Sequence, residues 1–76
     1  MKVLVTDGEQ RSALAAVRSL GRAGVRVAVA GQHPCLAGTS RWCATRVRCP
    51  SAAEDRDGFL ACVIRAVRKH EIRLII

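Results

Sequence analysis

Aromatic side chains are almost absent from this sequence: one Phe, one Trp and no Tyr in 76 residues. The core must therefore be built from Val, Leu, Ile and Ala, and few rings are left to stack on nucleic-acid bases. Acidic residues are scarce, 6 Asp+Glu against 13 Lys+Arg. They are too scattered for a glycosidase carboxylate pair or an acidic metal site. No apolar run approaches membrane-spanning length. Met1-Lys2 is followed by only three apolar residues before Thr6-Asp7, far short of a secretory signal. The expected compartment is the cytoplasm, with no membrane partner.

The four cysteines, Cys35, Cys43, Cys49 and Cys62, show neither CxxC nor paired metal-ligand spacing. In a reducing compartment they read as small apolar fillers rather than disulfides. A zinc site from His33, Cys35 and Cys43 has weak spacing, so no metal site is expected.

What is present points to one small globular domain. Half the residues are hydrophobic, which argues for a packed core. A chain this short buries only about 60% of its unfolded surface, so its stability is expected to be marginal. The formal charge is +7, and 11 of the 13 basic residues are arginine. Such a balance suggests a polyanion partner. The arginines are nevertheless spread along the sequence, and Arg and Ala richness can reflect genomic base composition. This reading disfavours nucleic acid as a partner and keeps a small basic anion- or RNA-binding module as the alternative function.

Lys2 to Thr6 is an apolar, largely β-branched run suited to a strand covered on both faces. From about Glu9 to Ala23, Ala13, Ala16, Val17 and Leu20 recur at helical spacing, with Leu14 widening the stripe. Arg11, Arg18 and Arg22 fall on the other face, and Gly24 suits a left-handed helix end. Val25 to Ala30 is a second strand, joined to the first by a right-handed crossover. Gly31 to Ala44 is a loop with one helical turn near Leu36 to Ser40. Thr45 to Cys49 is a short third strand stopped by Pro50.

Ser51-Ala52-Ala53-Glu54 fits a capping box, and a helix start nearer Asp55 fits equally well. Phe59, Leu60, Val63, Ile64 and Val67 form the apolar stripe of this second helix, and Ile72 to Ile76 is the fourth strand. The pattern specifies an α/β, partial Rossmann-like three-layer fold. It predicts a parallel sheet of about four strands in the order 3-2-1-4, with helices on both faces. The fourth strand is then an open edge that invites pairing. The expectation is self-association through Ile72–Ile76, or a domain incomplete at its C-terminus.

Ligands in such sheets bind outside the carboxyl ends of the strands, beside the switch in strand order. That point faces Thr6, Asp7 and Gly8, with Arg11 and Ser12 at the helix start able to add a cation and a hydroxyl. Backbone N–H groups and the helix dipole there can hold a carboxylate or phosphate. The turn lacks the three glycines of a dinucleotide fingerprint, and there is no P-loop Gly-Lys-Ser/Thr. A degenerate NAD(P)-binding Rossmann domain is thus the further alternative. Asp7-Gly8 also reads structurally, Asp as a helix cap and Gly as the turn residue, and this reading is favoured over ligand contact. No nucleophile–base pair stands out: Ser12 with His33 or His70 has no spacing to support it, and no catalytic residue is assigned.

Val3-Leu4-Val5-Thr6-Asp7-Gly8-Glu9-Gln10-Arg11-Ser12-Ala13-Leu14 and Arg18-Ser19-Leu20-Gly21-Arg22-Ala23-Gly24 resemble the opening of bacterial ATP-grasp proteins, the carboxylate-amine ligase and carbamoyl-phosphate-synthase-like enzymes. Ser40-Arg41-Trp42-Cys43, Arg46-Val47-Arg48-Cys49-Pro50-Ser51 and Lys69-His70-Glu71-Ile72 agree in order and spacing. The resemblance implies that residues 1–76 are a pre-ATP-grasp domain, packing against a C-terminal ATP-grasp domain and walling the substrate cleft at Thr6, Asp7, Gly8, Arg11 and Ser12. ATP and Mg²⁺ would bind that other domain and activate a carboxylate as an acyl phosphate. This segment alone would carry no cofactor and no catalysis.

Overall fold

A computed structural model describes residues 2–32 and 35–76. The elements run β1 (Lys2–Val5), α1 (Arg11–Arg22), β2 (Arg26–Gly31), a 3-10 turn (Ala37–Thr39), β3 (Cys43–Arg48), α2 (Arg56–His70) and β4 (Ile72–Ile75). All strand pairs are parallel and the sheet order is β3-β2-β1-β4. This is the 3-2-1-4 order that the alternation of strands and helices predicts.

The strands alternate between two cores because successive side chains leave opposite faces of a sheet. Val3, Val5, Val27 and Val29 meet Ala13 and Val17 of α1, together with Ala37. Leu4, Ala28 and Ala30 meet Cys62 and Ala66 of α2, with Cys49 and Ile72 completing that layer. The first core is built mainly from valines, whereas the second sets Ala28, Ala30 and Ala66 among Leu4, Ile72 and two cysteines. The fully buried face of α2 is Cys62 and Ala66, with Phe59, Val63 and Val67 packed beside them. Leu60 and Ile64, assigned to the stripe from sequence, stand exposed instead. At 100° per residue they fall past Val63 and Val67, beyond the reach of the sheet.

α1 ends as its sequence predicts. The N–H of Gly24, at φ 86°, donates to Gly21 O, and that of Val25 donates to Leu20 O. This is a Schellman pair that closes the last turn. α2 starts at the later of its two possible caps: Asp55 Oδ1 accepts the Gly58 N–H at 2.9 Å. Ser51 makes a separate turn, its Oγ accepting from Ala53 N and its carbonyl from Glu54 N and Asp55 N.

Two bulges were invisible in the sequence. One lies in β3, where Cys43 stands opposite Val27 and Thr45 opposite Ala28 with Ala44 the extra residue, so that β3, which starts two residues earlier than predicted, changes face within its length. The other sets Lys2 opposite Ile72 and Val3 opposite Leu74, skipping Arg73.

The largest departure concerns sulfur. Cys49 and Cys62 form a disulfide, with Cα atoms 5.7 Å apart. It joins the chain just beyond β3 to the buried face of α2. Spacing could not show this, because the pairing depends on α2 folding back over the end of β3. Cys35 and Cys43 are free thiols. No helix among the described residues is long and apolar enough to cross a membrane.

Candidate functional site: the carboxyl ends of the strands

The turn after β1 is held by its own main chain rather than by a side-chain cap. Asp7 takes a left-handed conformation, φ 52°, and its carbonyl accepts the Gln10 N–H at 2.9 Å. The N-cap of α1 is Gln10, which makes no side-chain cap hydrogen bond. Asp7 is therefore not the helix cap that the sequence suggested, and α1 begins two residues later than predicted. Glu9 is drawn away from the helix to the end of β2, where its Oε2 accepts the Gln32 N–H at 2.8 Å.

A cleft of about 210 Å³ opens between α1 and the end of β4. Its wall includes Thr6, Asp7, Gln10, Ser12, Ala16 and Ile76. Of the five residues expected at a binding site, Thr6, Asp7 and Ser12 come together here, while Gly8 and Arg11 do not line it. The Thr6 N–H and Oγ1 both donate to the main-chain oxygen of Ile76 at 2.9 Å. That leaves Thr6 Oγ1 as an acceptor toward the cleft. Ser12 brings a free hydroxyl, and the first turn of α1 contains no acidic residue. The arrangement can hold a small polar group at the switch in strand order. Asp7 at the mouth opposes a second negative charge.

Gly8 is buried instead, and this feature escaped the sequence. A Cβ there would lie 2.7 Å from Cys35 Sγ and 2.8 Å from Val29 Cγ1. Gly38 faces the same sulfur, 2.9 Å from where its Cβ would stand, and Gly31 also abuts Cys35. Gly8 from the first turn, with Gly31 and Gly38 from either side of Cys35, thus surrounds one thiol. The Gly8 N–H donates to Ala30 O and its carbonyl accepts from Ala37 N. Gly8 ties β1, β2 and the 3-10 turn together, and its N–H is already committed to Ala30 O. The signal available in the sequence was the position of Gly8 and Gly31 just after two adjacent strands.

The chain matches no protein family model, no curated protein and no solved structure.

Above the ends of β2 and β3 lies a second hollow of about 310 Å³, lined by residues that include Cys35, Thr39, Arg46 and Arg48. The Arg46 Nε donates to the Gly38 carbonyl, fixing its guanidinium beside the 3-10 turn. Burial pushes the Cys43 thiol above its ordinary range, against the downward pull of Arg46. The zinc reading used His33, which lies outside the described residues with Pro34. Among the described residues, no group of three or more His, Cys, Asp or Glu is placed to hold a metal. Ser12 and His70 occupy opposite ends of the sheet: Ser12 is at the Thr6 end of β1, and His70 lines a hollow with Lys2 at the other. They form no nucleophile–base pair.

Proposed function

We propose that this chain is the Rossmann-like N-terminal domain of an ATP-grasp ligase, working in the cytoplasm. Thr6, Asp7 and Ser12 would supply one wall of its substrate cleft, with the reacting carboxylate held away from Asp7. ATP and Mg²⁺ belong to an ATP-grasp domain that follows in the full protein. There the carboxylate attacks the γ-phosphorus, forming an acyl phosphate and releasing ADP, and an amine then displaces the phosphate. This domain orients the substrate and adds no catalytic residue.

The observation that carries the reading is the edge beside the cleft. Leu74, Ile75 and Ile76 are 50%, 48% and 53% exposed. By register, Leu74 and Ile75 lie on opposite faces of the sheet. An apolar edge open on both faces, next to a cleft at the switch point, suits further strands and helices of a larger enzyme. The isolated segment would use the same edge to pair with a second copy. A disulfide is unusual in the cytoplasm, and the burial of both Cys49 and Cys62 shields it from reductant.

The test is the reading frame after Ile76 and the activity of its product. The purified full protein is expected to release ADP and phosphate only when both a carboxylate and an amine are supplied. A frame with no ATP-grasp segment, or ATP turnover indifferent to both co-substrates, sinks the reading.

A further inference from the structure

The arginines that are scattered in sequence gather on one side of the fold. Ser12, Ala13 and Ala16 share the cleft with Ile76, so that flank of α1 faces β4. Arg11, Arg18 and Arg22 recur at steps of seven and four, one stripe on the opposite flank at 100° per residue. Gly21 lies directly against the Trp42 ring, which brings the segment leading into β3 alongside that stripe. The Arg41 guanidinium stacks 4.8 Å from the centre of the same ring. The bulge in β3 then sets Arg46 opposite Val29 and Arg48 opposite Gly31. Val29 belongs to the core under α1, so both arginines leave the sheet on the α1 face.

One acid reaches this side, Glu9, whose carboxylate lies against Gly31 opposite Arg48 and accepts the Gln32 N–H; the stretch that carries the arginines adds none. From Gln10 to Ala53 the chain has seven arginines and not one Asp or Glu. The six acids are Asp7 and Glu9 in the turn after β1, Glu54, Asp55 and Asp57 at the start of α2, and Glu71 after α2. The outer face of α2 is different, since Arg65, Arg68 and Lys69 share their helix with Asp57. If the arginines merely reflected composition, acids would be expected among them too.

We propose that Arg11, Arg18, Arg22, Arg41, Arg46 and Arg48 form a binding surface for the sugar-phosphate backbone of a nucleic-acid duplex. Each guanidinium presents a donor fork that matches phosphate. Two are already held in place, Arg41 by Trp42 and Arg46 by Gly38, which lowers the ordering cost of binding. An acidic protein is the weaker fit. Protein interfaces centre on apolar and aromatic anchors, and five of the six large exposed hydrophobics, Leu60, Ile64, Leu74, Ile75 and Ile76, belong to α2 and the β4 end. Trp42 is half-buried against α1 and covered by Arg41, so it offers no base platform. Recognition is therefore by phosphates and independent of sequence. This surface is independent of the ligase reading.

The test titrates the full chain into fluorescein-labelled 20-base-pair duplexes of mixed sequence, one DNA and one RNA, with the single strand of each in parallel. The duplex Kd is expected at about 1–100 μM near physiological salt, with log K falling at a slope of about −3 to −5 against log salt. Replacing Arg18, Arg22 and Arg41 by Gln together should weaken duplex binding at least about tenfold and reduce the slope by about three, one for each phosphate deprived of its cation. Replacing Arg65, Arg68 and Lys69 by Gln makes the same charge change on α2 and should alter Kd less than about twofold. Unchanged far-UV spectra confirm that both variants fold. The proposal is overturned by equal losses in the two variants, by a flat salt response, by single strands binding tighter than duplexes, or by polyglutamate displacing the duplex at equal charge concentration. Tighter binding of one duplex type than the other supports the surface and identifies its source.

Discussion

The sulfur of Cys35 occupies the space that a side chain at Gly8 would need. Gly8 ends the first strand's turn and Cys35 lies 27 residues later, yet a Cβ on Gly8 would sit 2.7 Å from that sulfur. Gly8→Ala should destabilise the fold by about 1–3 kcal/mol, the usual cost of overpacking. In Cys35→Ala the same substitution should cost less, though not nothing, because Val29 Cγ1 also stands 2.8 Å away. Urea unfolding of the two single variants and the double variant measures the coupling. Equal costs in both backgrounds would show that the sulfur does not fill this space.

The Cys49–Cys62 bond closes a separation of 13 residues between the end of β3 and α2. Constraining a loop of that size is worth about 3 kcal/mol. Reduction, or Cys62→Ser, should lower Tm by on the order of 10 °C or more in a domain this small. Thermal melts with and without dithiothreitol measure the shift, and alkylation before and after reduction should report two additional reactive thiols. Because both sulfurs are buried, reduction is carried out in urea before refolding, and a reduced, refolded chain that melts with the oxidised one contradicts the staple.

Asp55, not Ser51 or Glu54, satisfies the start of α2. Asp55→Ala should cost about 1 kcal/mol, as the loss of an N-cap does, whereas Glu54→Ala should be near neutral. Chemical denaturation of the two variants separates the alternatives that the sequence left open. A larger loss from Glu54→Ala would reinstate the capping box.

Asp7 and Glu71 both hold left-handed backbone, at φ 52° and 55°. Glycine is unstrained there. Asp7→Gly and Glu71→Gly should each be neutral or stabilise by up to about 1 kcal/mol, despite the entropy that glycine adds to the unfolded chain. Midpoints of urea unfolding decide this, and a loss above about 1 kcal/mol at either position would contradict it.

The Cys43 thiol is raised mainly by burial. A group whose folded value lies above its unfolded one contributes stability that is fully present below the unfolded pKa. That contribution is lost as pH rises through the folded pKa. Stability should therefore fall on the alkaline side, and Cys43→Ala should flatten that limb. Iodoacetamide labelling of Cys43 should turn on at higher pH in the folded chain than in urea; a lower onset would refute the burial effect.

Much of the layer structure was legible because it rests on local pattern. The β-branched runs gave the strands, the spacing of Ala13, Val17 and Leu20 gave α1, and alternation of strand with helix gave the order 3-2-1-4. What failed depended on contacts across the fold. Asp7 looked like a cap because it precedes a helix, but the turn's own hydrogen bonds and the reach of Glu9 to Gln32 moved the helix start. Cys49 and Cys62 looked like fillers, since nothing local says that α2 returns to the end of β3. At the cleft, Thr6, Asp7 and Ser12 were legible from the strand–turn–helix pattern. Gly8 was misplaced because its neighbour in space, Cys35, comes from a distant loop.

The two borders of the sheet are unlike. β3 carries Arg46 and Arg48, whereas beyond Arg73 the β4 border runs Leu74-Ile75-Ile76 without a charge. A second copy joined across β4 by a two-fold axis would lie antiparallel to it and leave an arginine-bearing strand at each outer margin. Growth of that kind ends at a pair, because a third molecule would have to lay its strand beside repelling cations. Borders this uneven would hold such pairing at two copies and keep it from running on into a fibre.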